Sequence, residues 1–85
     1  MNITRLIELL PDTLKGITID FQDVISMKER QHGIRVIFER ELTETEREQL
    51  LAIDKRRKNK IVMSIGTATY KHAPEIKHGY VVIKT

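Results

Sequence analysis

The sequence has no cysteine and no tryptophan, two prolines and four glycines, and aromatic residues make up only 5% of it. Without cysteine there is no disulfide framework, no thiolate metal site and no thiol nucleophile. A secreted domain of this size usually carries disulfides, so the expected setting is reducing and cytoplasmic. Residues 1–10 lack both a basic start and a long apolar run, so neither a signal peptide nor a membrane span is expected. The glycines stand singly at Gly16, Gly33, Gly66 and Gly79, which leaves no phosphate-cradling glycine loop. Ser26 and Ser64 fall inside strand-like stretches with no nucleophile elbow around them. With no enzyme motif present, the expectation is a non-enzymatic protein that needs no cofactor. No fixed-period repeat or low-complexity segment appears.

What is present fits one small globular domain. The chain has 85 residues, 40% of them hydrophobic and 32% charged, enough for one modest core spanning 1–85. The formal net charge is +3, but it is unevenly placed. Residues 1–54 hold seven Lys/Arg and eleven Asp/Glu, whereas residues 55–85 hold eight Lys/Arg and only Glu75. Such asymmetry points to a polyanionic partner, unless folding averages it out.

The hydrophobic pattern gives the order α-β-β-α-β-β. Ile3, Leu6, Ile7 and Leu10 repeat with helical spacing, Asn2 is a candidate cap and Pro11 stops simple continuation; Asp12 to Lys15 add one turn. The period then becomes two. Ile17, Ile19, Phe21, Ile25 and Met27 share one parity, with Asp23 as the break and a bulge expected near Gln22 and Asp23. Residues 29–33 read as a hairpin loop, followed by a strand with Ile34, Val36 and Phe38 facing inward and Ile37 interrupting the polar face. Thr43 and Glu46 have capping-box spacing; Thr45 and Glu48 offer the same pairing two residues on. The helix that follows takes its apolar face from Leu50, Leu51 and Ile53, carries basic residues in its last turns where the dipole favours them, and offers Asp54 and Lys58 as an i, i+4 pair. A third strand starts near Lys60, residues 71–79 turn, and residues 80–83 form a fourth strand. The fold class is thus a single α+β domain: a four-stranded sheet of two hairpins, joined by a crossover helix, with two helices in all. The crossover is right-handed if strands two and three run parallel in one sheet. Val24, Ile37, Val62 and one parity of 80–83 keep the second sheet face from being polar, so either the helices cover both faces or that face meets another subunit.

Two constellations stand out. Lys55, Arg56, Arg57, Lys58 and Lys60 place five cations within six residues, at a helix end and the loop after it. This is what contact with nucleic-acid phosphates requires, and Arg35, Lys71, Lys77 and Lys84 are candidates to extend the patch. The plainer account is that helix C-termini favour Lys and Arg in any case. Tyr70 and Tyr80 are the only candidates for stacking on bases. The second constellation is His72, Glu75 and His78, three potential ligands whose loop spacing fixes no metal geometry unless His32 joins them. The plainer account there is a hairpin with polar tips, so no metal is expected, although His72 and His78 facing each other would make a weak pH sensor. Asp20, Asp23 and Glu39 would cluster only if their side chains share one face.

The leading expectation is a small nucleic-acid-binding protein acting through residues 55–60. The alternative is a protein-interaction module, such as a small regulator or inhibitor encoded by a phage or plasmid, acting as a homodimer through a sheet face or through the apolar final strand as an open edge. No membrane partner is expected.

Overall fold

In the computed structural model, residues 3–27, 30–55, 58 and 60–85 are described. The elements are α1 (Ile3–Leu9), α2 (Asp12–Lys15), β1 (Thr18–Ser26), β2 (Gln31–Phe38), α3 (Glu44–Lys55), β3 (Val62–Tyr70) and β4 (Ala73–Lys84). Pro11 separates α1 from α2, because its missing N–H cannot extend the first helix. Asn2 lies outside the described residues.

The four strands form one antiparallel sheet in the order β1-β2-β4-β3. β2 and β3 therefore run parallel with β4 between them, and α3 is the connection that crosses over. The last strand is central and β3 is an edge, so the expectation that the final strand is an open edge is corrected. The ladders run further than the sequence suggested. Ser26 pairs with Gln31, so Gln31, His32 and Gly33 belong to β2 and not to the loop. It closes with Arg30 at φ 51°, the left-handed conformation. The second turn is only Lys71 and His72, because β4 starts at Ala73. Pro74 is tolerated there because β2 pairs with β4 only from Tyr80 onward, so its missing N–H breaks no bond between those strands.

All three helices pack on one face of the sheet. Leu6, Leu10, Leu14 and Leu50 meet Ile34, Val36, Phe38, Val81 and Ile83 in one cluster, with Ile17, Phe21, Ile53 and Ile65 at its margin. The sequence parity of β1 fails at Ile19, where the register shifts between Thr18 and Asp20. The bulge is there and not at Gln22–Asp23. It leaves Ile19 half exposed, and Ile25 and Met27 lie exposed at the far end of the strand. A second register shift, between Val62 and Ser64, turns Val62 onto the core face.

The helix start follows the capping-box reading. Thr43 N–H donates to Glu46 Oε1 at 2.9 Å, and Glu46 N–H donates to Thr43 Oγ1 at 3.2 Å. Glu46 is nonetheless buried, and it also takes two bonds from the Arg40 guanidinium, at 2.8 and 3.0 Å, and one from Thr13. Those bonds hold its carboxyl at about 2, against an ordinary 4.5, with the Arg40 hydrogen bonds the main cause. This one side chain thereby ties α3 to α2 and to the end of β2. At the other end of α3, Asp54 does not pair with Lys58. Its carboxylate accepts from the backbone N–H of Ile61, at 2.7 Å, and of Val62. Of the three residues expected on the apolar face of α3, Leu50 is fully buried, Ile53 is partly buried and Leu51 is 52% exposed.

Candidate nucleic-acid interface

α3 ends at one end of the sheet, and three connections bring the segments that carry the C-terminal basic residues to that end. Asp54 fixes the start of β3 against the last turn of α3. Lys84 N–H donates to the Ile61 carbonyl at 2.7 Å, which sets the backbone of Lys84 against the start of β3, with Lys84 on the parity of Val82 and so on the sheet face that carries no helix. Thr85 N–H donates to the His32 carbonyl, and Lys84 is opposite Gly33 in the ladder, which brings in the β1–β2 loop with Arg30. Lys55, Lys58, Lys60 and Arg30 are exposed, and Lys84 is partly buried. Arg56 and Arg57, the other two expected site residues, lie outside the described residues. Asp23 and Asp54 are described acids near this end, Asp54 being spent on backbone donors, and Glu8 lines a cavity with Ala52 and Ile53 from the last turns of α3. Glu44 and Glu46 lie in the first turn of α3 and Glu48 in the next, about 10–16 Å from Lys55 at 1.5 Å per residue.

The patch does not extend as widely as the sequence allowed. Lys71 and Lys77 sit by the turn at the far end of β3, about 30 Å from Lys60 at the rise of a nine-residue strand. Arg35 lies between, on the sheet face that carries no helix. Its guanidinium is 5.0 Å from the centre of the Tyr80 ring, and its Nη1 donates to Gln22. Gln22 in turn donates to Asp20, which also accepts from Tyr70 Oη at 3.1 Å. This line of side chains shields Ile37 and Val82, which are 3% and 4% exposed without any covering helix. Ile37 and Val82 are thus covered by neighbours on the same face, while Val62 faces the core and Val24 is partly buried. Burial, together with the bond to Asp20 and its charge, raises the Tyr70 phenol above 10. Tyr70 and Tyr80 are therefore engaged within the protein: one is bonded at its hydroxyl, the other lies between Arg35 and Gly66.

The remaining constellations separate. His78 is buried, and its Nδ1–H donates to the Phe38 carbonyl at 2.9 Å. His72 is exposed in the turn and does not oppose His78, whose ladder partner is Ala68. Both imidazoles instead lie against Tyr70, with ring centroids 5.4 and 5.2 Å away. His32 is at the opposite end of the sheet, and among the described residues no three His, Asp or Glu side chains converge on one point where a metal ion would sit. Asp20 and Asp23 alternate onto opposite faces of β1, and Glu39 follows β2, so the acid cluster does not form. No helix among the described residues is long and apolar enough to cross a membrane. Comparison of the chain with family models, with curated proteins and with solved structures gave no match.

Proposed function

We propose that the protein binds nucleic acid through its backbone phosphates, using Lys55, Arg56, Arg57, Lys58 and Lys60 together with Lys84 and Arg30. The observation that carries this reading is the bond from Lys84 N–H to the Ile61 carbonyl. It brings the end of the last strand, with Lys84 on the helix-free side of the sheet, to the same end of the molecule as a cluster that helix-end preference alone would explain. Arg30, from a third segment, lies at the same end of the sheet, and no helix preference explains its place or that of Lys84. Phosphate contacts need cations and little else, which suits a surface where the tyrosines are already engaged.

Retention on heparin and binding to a mixed-sequence duplex both test this. Binding should weaken steeply with salt, and the triple change Lys58→Ala, Lys60→Ala and Lys84→Ala should lower the slope of log K against log salt by about 3, one for each phosphate deprived of its cation. Lys71→Ala and Lys77→Ala, at the far end of the sheet, should leave it unchanged. Binding that is indifferent to the first set and lost with the second would sink the assignment.

A further inference from the structure

The edge strand β3 reads Val-Met-Ser-Ile-Gly-Thr-Ala-Thr-Tyr, nine residues with no charge and no proline. Sheet edges are normally guarded by charges, proline or bulges, because their unpaired N–H and C=O groups recruit other strands. The opposite edge, β1, is guarded by Asp20, Asp23 and the bulge at Ile19. β3 has register shifts only near its ends, between Val62 and Ser64 and between Ala68 and Tyr70. Residues 64–68 between them are regular, a free edge of about 17 Å. Among the described residues the only side-chain bond to the backbone of β3 is that of Asp54 at Val62.

The helix beside this edge carries a second mark. Gln49, Ala52 and Ile53 line a cavity of about 630 Å³ shared with Glu8, Leu9, Leu10 and Pro11, so they define the α1 side of α3. At 100° per residue, Arg47, Leu51 and Asp54 point to the other side. Asp54 confirms the direction by bonding to Ile61 and Val62 at the start of β3. Leu51, 52% exposed, therefore flanks the open edge of β3.

We infer that β3 pairs antiparallel with β3 of a second copy of this chain, in a register centred on Gly66, joining two four-stranded sheets into one of eight strands. A two-fold axis at Gly66 makes the contact self-complementary. It sets no like charges against each other, since the strand has none, whereas pairing through β1 would bring its aspartates together. Leu51 of each copy, one turn before Asp54 and so level with the first residues of its own β3, flanks the joined strands from the helix side.

Sedimentation equilibrium of the intact chain over a wide concentration range tests this. The expected result is a monomer–dimer equilibrium whose dissociation constant rises about tenfold or more in Thr67→Lys and in Leu51→Lys, a tenfold change being about 1.4 kcal/mol. Thr67 and Leu51 are exposed in the single chain, so both variants should keep the parent far-UV spectrum and melting point at high dilution. Ile19→Lys, on the other edge, should leave the dimer intact. A chain that stays monomeric at the highest attainable concentration overturns the inference. So does a dimer that survives both β3-side changes, or one that Ile19→Lys dissociates.

Discussion

Replacing Glu46 with glutamine tests the account of the joint between α2, β2 and α3. Glutamine keeps the volume and one acceptor for Thr43 N–H, and its amide nitrogen replaces the oxygen that accepts from Arg40 Nη2 and Thr13, so the change removes the charge and the two bonds that the ionised carboxylate takes there. A carboxyl moved from 4.5 to about 2 represents roughly 3 kcal/mol of preference for the ionised form in the folded protein. The Arg40 side chain is 48% exposed, and water competing for it lowers the expected cost to about 2 kcal/mol at pH 7. For a domain of this size that is a fall in Tm of about 8–16 °C. The sign follows from the direction of the shift. A depressed carboxyl stabilises the fold fully above its unfolded value near 4.5, and that stabilisation is lost as pH falls through about 2. Urea unfolding of both proteins at several pH values between 7 and 2 should therefore show a difference of about 2 kcal/mol at pH 7 that shrinks below about 0.5 kcal/mol at pH 2. Other carboxylates titrate in both proteins and cancel. A cost that is flat across this range, or below about 0.5 kcal/mol at pH 7, would refute the claim that the charge matters. In a double-mutant cycle with Arg40→Met the two changes should cost less together than the sum of the two singles.

Absorbance titration of wild type and Tyr70→Phe should yield a difference signal with its midpoint above 10, because Tyr70 and Tyr80 are the only tyrosines; a midpoint at or below 10 would contradict the buried bond to Asp20. Gly79→Ala should destabilise by about 1–3 kcal/mol in urea, since a Cβ there would lie 2.7 Å from Leu42 Cγ and 2.9 Å from Leu42 N, and a neutral result would mean the segment before α3 is free to move. Leu50→Ala should cost about 2–5 kcal/mol, while Leu51→Ala, measured at high dilution, should cost under about 0.5 kcal/mol; equal costs would mean Leu51 is buried in the single chain.

Features set by local chemistry were legible in the sequence, and those set by partners were not. Thr43 and Glu46 form their capping box because the two groups satisfy each other three residues apart. Ile34, Val36 and Phe38 alternate into the core because β2 is regular throughout. Ile19 defeats the same reasoning: one bulged residue leaves it outside the ladder, and nothing in its side chain announces that. Pro74 read as a turn residue because the sequence does not show that β4 outruns β2. Strand order was hidden for the same reason, since residues 80–83 look alike at an edge or a centre. In the candidate site, the run at residues 55–60 was visible at once. The approach of Lys84 and the distance of Lys71 and Lys77 depend on which end of the sheet each strand begins, which periodicity does not encode.

The placing of β4 between β2 and β3 also bears on how the chain reaches its fold. Each hairpin closes locally, but the central ladder joins residues 43 to 51 positions apart, from Ile37 with Tyr80 to Gly33 with Lys84. Until β4 arrives, the inner edge of β2 is bare along Ile34, Arg35, Val36, Ile37 and Phe38, a segment rich in β-branched residues and the stretch of this chain most prone to wrong pairing during synthesis. Joining the hairpins is then the slow event, in the millisecond-to-second range of sheets built on distant contacts. It also makes the two halves structural complements, each donating one central strand to a ladder that neither can build alone.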